Sequence, residues 1–488
     1  MRIWLCTWLL LFATTAPSWA ASRAETRAFE AVARSFRDGI WERADRELGE
    51  FVRAFPNSEH RAEAILLQAQ SRCKLARFAG AIELLSAEQA GAGSRADEYL
   101  FWLGEAHYQS TNYPAAAAAF RVVANDFAAS KLRLEASVNE AAAWARQEDW
   151  ERVIELLSQP SGVFQQLAKT AAGTPAAARG VLLLAEAQLA RDRYATAEQV
   201  IRPLEATKLE NDLAWQRELL LCRALLGNGQ PEAALRSSSN LLVLARTLGR
   251  PTLLAQSVAL QATALEQLGQ LDNSAAAYAQ NLTPEAPVEL QRQALLKVGE
   301  LALAGGRLTN AAQALETYLQ RHSNSPACDM ALLTLGEVQL RQYLTSPGTN
   351  AATTNLLQQA LASLDTLRER FPRSALLGRA QLNRGWCLAL TSNLTESAAA
   401  FAAAADALPA SFDQATARFK LADAQYQQQQ FAAAISNYSR VVADADTLPA
   451  VKTSLCEPAL YQIVRASVEA SDFATANDAA GKILAWFP

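Results

Sequence analysis

Apolar and small residues recur along this chain at the spacing of a helical hairpin, and the stretch from 97 to 130 holds one complete copy. In its first half they lie at i, i+3, i+4 and i+7, at Leu100, Leu103, Gly104 and His107. The second half has the same spacing, at Tyr113, Ala116, Phe120 and Val123. Such spacing places side chains on one stripe of a helix, so we predict two amphipathic helices joined by a turn at Thr111-Asn112. Neither helix can bury its stripe alone.

A large apolar residue, followed by a small residue three positions later, returns in twelve copies along the chain. The residues at the small position are Ala44, Ala81, Ala116, Val153, Ala197, Ala234, Ser274, Ala311, Ala360, Ser397, Ala434 and Ala476. The common step is 37 residues, as from Ala44 to Ala81. A fixed period of this length predicts a solenoid of helical hairpins, in which small residues let the paired helices approach closely.

The units resemble tetratricopeptide repeats. That family has a large apolar residue, Leu-Gly and Tyr on the first helix, and Ala, Phe and Ala on the second. The matching residues here are Leu100, Leu103-Gly104, Ala116 and Phe120, then Val298-Gly299 with Ala311, and Leu335-Gly336 with Ala360. His107 replaces the family's Tyr, and Val123 replaces its last Ala. The resemblance implies an all-α, right-handed solenoid of about twelve hairpins that binds a protein or peptide and needs no cofactor.

The pattern predicts the following organisation: a signal peptide at 1–20, repeats 1 to 4 at 24–157, a lengthened linker at 158–175, and repeats 5 to 12 at 176–488. An insertion at 341–355 separates the helices of the ninth copy, with a turn signal at Ser346-Pro347-Gly348. Phe487-Pro488 stands where Phe55-Pro56 ends the first copy. Because solenoids need capped ends, we expect the array to be truncated at 488; the alternatives are continuation onto a partner and oligomerisation through the uncapped end.

The N-terminal residues predict export. Arg2 precedes an apolar run from Ile3 to Ala16, and Ser18-Trp19-Ala20 supplies small residues for cleavage after Ala20. We therefore expect a mature chain with no stable membrane span, located in the periplasm of a bacterium or outside the cell. The endings FVRAFPNS (51–58) and LRERFPRS (367–374) are similar to an exported bacterial subfamily. It includes outer-membrane-assembly lipoproteins and the periplasmic protein that works with the Tol system, which implies a place in the cell envelope, in association with the outer membrane.

Composition narrows the classes of partner and of chemistry. The 45 basic and 49 acidic residues give a net charge of −4, which argues against nucleic acid or an anionic membrane as partner. The five cysteines after residue 20 lack the spacing of metal ligands, and the chain has three histidines and no catalytic or phosphate-binding motif. We expect the cysteines to pack as small apolar residues. The alternative is that two of them form a disulfide, whose pairing the sequence does not give. No catalytic, cofactor-binding or metal-binding residue is predicted.

The family resemblance implies that first helices line the concave side, with two inward positions in each copy. The first inward position holds Phe29, Leu66, Phe101, Val138, Leu182, Leu219, Ala259, Leu296, Leu333, Leu382, Phe419 and Tyr461. The second, four residues later, includes Glu105, Glu186, Arg223, Glu300, Glu337, Trp386, Asp423 and Arg465. Relatives that clamp the C-terminal carboxylates of chaperones carry Lys or Arg at the first position and Asn at the second. Neither occurs here, so that specificity is not expected.

The inward positions suggest a groove for an apolar or helical segment with a basic character. The candidate partner-binding residues are Phe101, Glu105, Glu300, Glu337, Trp386, Phe419 and Asp423. The alternative, which we favour slightly, is that packing buries the apolar row and leaves the acids solvated. If Phe101, Leu382 and Phe419 are inaccessible in the folded chain, the hypothesis of an apolar groove fails.

The sequence therefore predicts a protein interaction scaffold of the cell envelope that binds a partner segment and is not an enzyme. One alternative is a structural spacer of an envelope assembly that binds through its ends and the 341–355 loop. Another is a targeting arm for an enzyme whose catalytic domain lies beyond residue 488.

Overall fold

The computed structural model describes residues 18–346 and 351–487, with side chains from 23 to 346 and from 355 to 487. Over these ranges the chain forms 26 α-helices and no strand, which confirms the predicted all-α class. No helix in the described ranges is long and apolar enough to cross a membrane. Of the predicted signal peptide, residues 1–17 lie outside the described part, and Ser18 to Ala20 begin α1.

The chain divides into two compact units, the first ending at Gly229 and the second starting at Gln230. The helices of the first unit are α1 (Ser18–Arg37), α2 (Trp41–Ala54), α3 (Arg61–Lys74), α4 (Phe78–Glu88), α5 (Ala96–Gln109), α6 (Tyr113–Asp126), α7 (Arg133–Ala145), α8 (Trp150–Ser158), α9 (Val163–Thr170), α10 (Pro175–Ala190), α11 (Tyr194–Ile201) and α12 (Asn211–Gly227).

The helices of the second unit are α13 (Pro231–Leu248), α14 (Pro251–Gln267), α15 (Leu271–Ala279), α16 (Val288–Gly305), α17 (Leu308–Arg321), α18 (Cys328–Thr345), α19 (Ala351–Arg370), α20 (Leu377–Leu390), α21 (Leu394–Ala407), α22 (Phe412–Gln427), α23 (Phe431–Asp444), α24 (Pro449–Ser454), α25 (Cys456–Glu469) and α26 (Phe473–Trp486).

The repeated small position lies in the core of every copy. All twelve residues at this position are buried, and none is more than 8% exposed. The hairpin predicted from 97 to 130 is present as α5 and α6, and the small residue Ala116 has no exposed surface. Burying apolar surface between paired and neighbouring helices is the main source of stability in such an array. The sequence pattern therefore located the packing surface of each second helix.

The turn between paired helices has one backbone conformation in most copies. Two residues before the second helix, the backbone takes a positive φ, for example at Thr111 (φ +64°) before α6 and at Gly306 (φ +68°) before α17. This region costs roughly 1–2 kcal/mol for a residue with a side chain, and glycine avoids that cost. Thr111 occupies it because the close packing of α5 against α6 fixes the turn.

Glycine on the first helix permits the closest approach within a hairpin. A Cβ added at Gly104 would lie 2.8 Å from a ring carbon of Phe120, which is fully buried. The same arrangement recurs at Gly385, where an added Cβ would lie 2.6 Å from the ring of Phe401. The aromatic ring on the second helix thus lies directly over the backbone of the first.

The regions predicted to be irregular are more helical than the sequence suggested. The linker predicted at 158–175 contains the short helix α9, whose Phe164 is buried in the core of the first unit. The insertion predicted at 341–355 largely lengthens the two helices that it separates, since α18 continues to Thr345 and α19 starts at Ala351. Residues 347–350 of that insertion lie outside the described part. All five cysteines after residue 20 lie in helices, four of them are buried, and none forms a disulfide in the described part of the chain.

Glu140 on α7 is a buried carboxylate, with only 3% of its surface exposed. Burial raises its pKa from the ordinary 4.5 to about 7, and the charges of Arg121 and Arg152 offset only part of that effect. Because the pKa in the folded chain is the higher one, the folded state binds a proton more tightly than the unfolded state. The stabilising contribution of the protonated group is complete below pH 4.5 and is lost as the pH rises through 7.

We expect Gly104→Ala to destabilise the chain by up to about 2 kcal/mol, because overpacking costs about 1–3 kcal/mol and alanine returns about 1 kcal/mol of helix propensity. Gly481→Ala on α26 is the matched control, since nothing lies within 4 Å of its added Cβ. It should be neutral or stabilising. Thermal unfolding followed by circular dichroism measures both. Equal melting temperatures for the two variants would contradict this account of the packing at Gly104.

We expect Glu140→Gln to raise the melting temperature at pH 8, by an amount corresponding to no more than roughly 3 kcal/mol, and to change it little at pH 4. The neutral amide removes the penalty of burying a charge, and that penalty exists only when the carboxyl is ionised. The exposed Glu83 serves as control, and Glu83→Gln should stay within about 0.5 kcal/mol at either pH. A Glu140→Gln effect that does not depend on pH would show that ionisation is not its cause.

Candidate functional site

The first unit has a cleft of about 850 Å³ between its successive first helices, which we call the first groove. Its walls come from three elements: Phe101, Trp102, Glu105 and Tyr108 on α5, Glu135 and Asn139 on α7, and Arg179 on α10. Consecutive hairpins present equivalent faces of their first helices, so residues one repeat apart in sequence lie side by side. The groove therefore combines aromatic surface with polar groups from neighbouring repeats.

Glu105 is the central polar group of the first groove. Its Oε1 accepts a hydrogen bond of 2.6 Å from the side-chain amide of Asn139. Burial raises the pKa of Glu105, and the charge of Glu135 raises it further. The amide of Asn139 and the charges of Arg179 and Lys74 act in the opposite direction. A half-buried carboxylate with one hydrogen-bond donor retains capacity to accept further donors.

Aromatic side chains line the cleft on both sides of Glu105. The Trp102 ring meets that of Phe101 edge to face at 6.4 Å, and Tyr108 makes an edge contact with Tyr113 at 5.4 Å. Trp102 and Tyr108 are both partly exposed. Such half-exposed, rigid rings are typical of surfaces that bind other proteins.

A smaller cleft of about 480 Å³, the second groove, occurs in the second unit. Its walls are again first helices of successive hairpins, with Leu303 on α16, Glu337, Leu340 and Leu344 on α18, and Arg379, Asn383, Trp386 and Leu390 on α20.

The carboxylate of Glu337 in the second groove is paired with a basic side chain of the same chain. Its Oε1 lies 2.9 Å from Arg379 Nη2 and accepts a 3.0 Å hydrogen bond from Asn383. Burial still raises its pKa, despite the opposing charge of Arg379.

The predicted site residues fall into separate groups. Phe101 and Glu105 meet in the first groove, and Glu337 and Trp386 meet in the second. Phe419 and Asp423 lie on α22 outside both grooves, where Asp423 accepts a 2.6 Å hydrogen bond from Tyr438. Glu300 on α16 also lies outside them, 3.1 Å from Lys297.

The first inward row belongs mostly to the core. Phe101, Leu382 and Phe419 are each only 7% exposed, and Phe101 packs edge to face on Phe120. The exceptions are Leu219 and Leu296, which are partly exposed, and Tyr461, which is 59% exposed. By the test set out from the sequence, the hypothesis of an apolar groove formed by this row fails, and the burial agrees with the alternative of a packed row. The edge of Phe101 contributes to the floor of the first groove, while more polar residues form its walls.

Several groove residues were missed by reasoning from two inward positions alone. Asn139 and Asn383 directly follow the first inward residues Val138 and Leu382, and Glu135 and Arg379 precede those residues by three. These two positions recur along the chain with the same period as the inward positions. Comparing the residues at these two positions in all copies would have identified Glu135 with Asn139 and Arg379 with Asn383, because residues four apart lie on the same helix face.

Within the described ranges, no group of three or more His, Cys, Asp or Glu side chains is placed to hold a metal ion. Burial raises the pKa of the Cys222 and Cys387 thiols to about 12 each, so these thiols are protonated at neutral pH.

Among solved structures, two that match this chain are the following. A chain in the structure of Naa15/Naa10 bound to HypK-THB is 12% identical, with a TM-score of 0.31, and the match covers 95% of this chain and 75% of that one. A chain in the crystal structure of the APC/C hetero-tetramer Cut9-Hcn1 is also 12% identical, with a TM-score of 0.34 and coverage of 92% and 97%. At these scores neither likeness informs function. No curated protein matches the sequence.

Family models identify the repeat directly. A model described as tetratricopeptide repeat matches residues 66–131, 259–326, 296–342 and 348–412. A second model of the same description matches residues 416–446. Together these matches span about half of the chain, which therefore contains tetratricopeptide repeats and belongs to that family.

Proposed function

We propose that this chain is a non-catalytic scaffold that binds a segment of a partner protein in the first groove. The observation that carries the proposal is the cleft of about 850 Å³, which combines half-exposed rings of Trp102 and Tyr108 with the carboxylate of Glu105. A concave site that combines apolar surface with convergent polar groups is a usual form of binding site. Tetratricopeptide-repeat proteins bind proteins or peptides, and their stacked hairpins form extended surfaces for that purpose.

The groove suits a short segment better than a broad, flat interface. Its polar groups come from α5, α7 and α10, so a bound segment would cross the first helices of three successive hairpins. Because Phe101 is buried, the larger apolar side chains available to such a segment are Trp102, Tyr108 and Leu132. A segment that orders on binding loses conformational entropy, and contacts with rigid aromatic rings help to offset that loss.

The proposal includes export to the cell envelope, and the sequence alone supports this part. Arg2, the apolar run from Ile3 to Ala16 and the small residues before Ala21 together have the form of a signal peptide. A partner would then be a protein that is exposed to the same compartment.

A photo-crosslinking amino acid at position 109 should capture the partner. Gln109 lies at the exposed edge of the first groove. The matched control carries the same amino acid in place of Arg121, which is exposed on α6 and lies outside the groove. We expect a crosslinked band at position 109 that is absent at position 121. Adding Trp102→Ala should reduce that band at least severalfold, because a large aromatic contact is lost.

The thermal melt of each crosslinking protein is the control for folding. A band of equal strength at both positions, or one that Trp102→Ala does not weaken in a folded protein, would contradict binding in the first groove. That outcome would instead favour the spacer function, with contacts outside the groove.

Export predicts a mature chain that begins at Ala21. Expression of the full sequence in a Gram-negative bacterium, fractionation and mass measurement of the intact protein test this. A deletion of residues 3–16 is the control, and it should leave the chain unprocessed in the cytoplasmic fraction. Retention of the first twenty residues in the full-length product would contradict the proposed cleavage.

A further inference from the structure

We propose that the first groove recognises an arginine side chain of its partner, with the guanidinium placed between Glu105 and the ring of Trp102. This inference rests on the proposed function and names the chemistry of the segment that the groove binds. It follows from comparing equivalent positions of the two grooves within this one chain.

The second groove contains its own arginine. Glu337 and Arg379 form an ion pair of 2.9 Å, and Asn383 donates a further hydrogen bond to the same carboxylate oxygen. Arg379 lies three residues before the first inward residue of its copy, and Asn383 lies one residue after it. A carboxylate that is held away from solvent is stabilised by such a charged donor.

The first groove has the same arrangement without the arginine. Asn139 occupies the position of Asn383 and donates to Glu105 in the same way. The position of Arg379 is occupied by Glu135, so the expected cation is replaced by an anion. Arg179 pairs with Glu135 at 2.8 Å, and within the described part of the chain no basic group forms an ion pair with Glu105.

Glu105 is therefore costly to keep ionised in the absence of a ligand. Burial and the neighbouring charge of Glu135 both raise the pKa of Glu105. A guanidinium from outside would lower that pKa, supply charge-assisted hydrogen bonds and replace the cation that Arg379 provides in the second groove. Electrostatic complementarity thus favours a basic partner over a neutral or acidic one.

The other charges of the first groove agree with this preference. Asp97, Glu98, Glu105 and Glu135 are acidic, while Lys131 and Arg179 are basic, so the groove has an acidic excess. Glu98 is paired with Arg95, which leaves Asp97 and Glu105 as the acids available to a ligand.

A second example within the chain shows why the aromatic ring matters. Lys420 Nζ lies 5.0 Å from the centre of the Trp386 ring and 2.8 Å from Asp423. A cation between a tryptophan face and a carboxylate is thus already present in this architecture. Trp102 and Glu105 offer the same two partners in the first groove. The planar guanidinium stacks on such a ring and binds a carboxylate at the same time, which favours arginine over lysine.

The test begins with a random dodecapeptide library displayed on phage and selected on the full chain. We expect arginine to be enriched in the selected peptides. The best peptide is then synthesised in two forms, one with arginine and one with citrulline, which has the same shape but no charge. The arginine form should bind the wild-type chain about tenfold to hundredfold more tightly, as expected for one charge-assisted interaction.

Two variants locate the effect. Glu105→Gln keeps an acceptor for Asn139 but removes the charge, so the arginine and citrulline peptides should bind it almost equally. Glu135→Arg places in the first groove the arginine that the second groove has, and this internal guanidinium should weaken binding of the arginine peptide at least tenfold. The side chain of Glu135 is 41% exposed, so a longer side chain can extend toward solvent and away from Arg179, to which Glu135 is now paired. Thermal melts of both variants provide the control.

The outcomes separate the two proposals. If peptides are selected and bind the first groove but citrulline binds as well as arginine, the inference about arginine is wrong and the proposed function stands. If the preference for arginine survives in Glu105→Gln, the guanidinium is recognised elsewhere and the inference is also wrong. If the wild-type chain selects no peptide, both the groove function and the inference are overturned.

Discussion

The close approach of two helices within each hairpin is the packing interaction on which the rest of this structure depends. It favours a small residue at the repeated position, which is Ala or Ser in eleven copies and Val153 in the fourth, and this residue is buried in all twelve. Where the first helix also has a glycine, as at Gly104, an aromatic ring of the second helix lies directly on its backbone. A hairpin closed in this way has apolar faces on both sides, which only neighbouring hairpins can cover.

Helices and core were predictable because the repeat period amplifies a weak local signal. A single Ala or Ser between larger residues predicts little, but the same pattern repeated every 37 residues identifies the buried face, as from Ala360 to Ser397. Departures from the period were less predictable. The linker helices α9 and α24 and the helical extension to Thr345 do not belong to the repeated pair of helices. Their structure depends on local packing, as Phe164 shows, and not on a repeated pattern.

The candidate site was only partly predictable, for a related reason. An apolar residue at an inward position can face a partner or can fill the space between helices, and the sequence looks the same in both cases. Phe101 mainly fills the space between helices, since it packs on Phe120 and is only 7% exposed. Polar residues are more informative, because a carboxylate is placed away from solvent only with a donor nearby. Glu105 and Glu337 were identified from the sequence, but their amide donors were not.

A solenoid can acquire specificity for a partner without altering its fold when equivalent positions of its repeats carry different charges. The packing positions are constrained by the close approach of helices, whereas Glu135 and Arg379 lie at a position whose side chain stays partly exposed in both grooves. A change of sign there leaves the hairpin intact and changes what Glu105 or Glu337 faces. In the second groove the chain satisfies its own carboxylate. In the first groove, the equivalent carboxylate of Glu105 lies near the anion of Glu135, which is why we propose that a cation of the partner binds there.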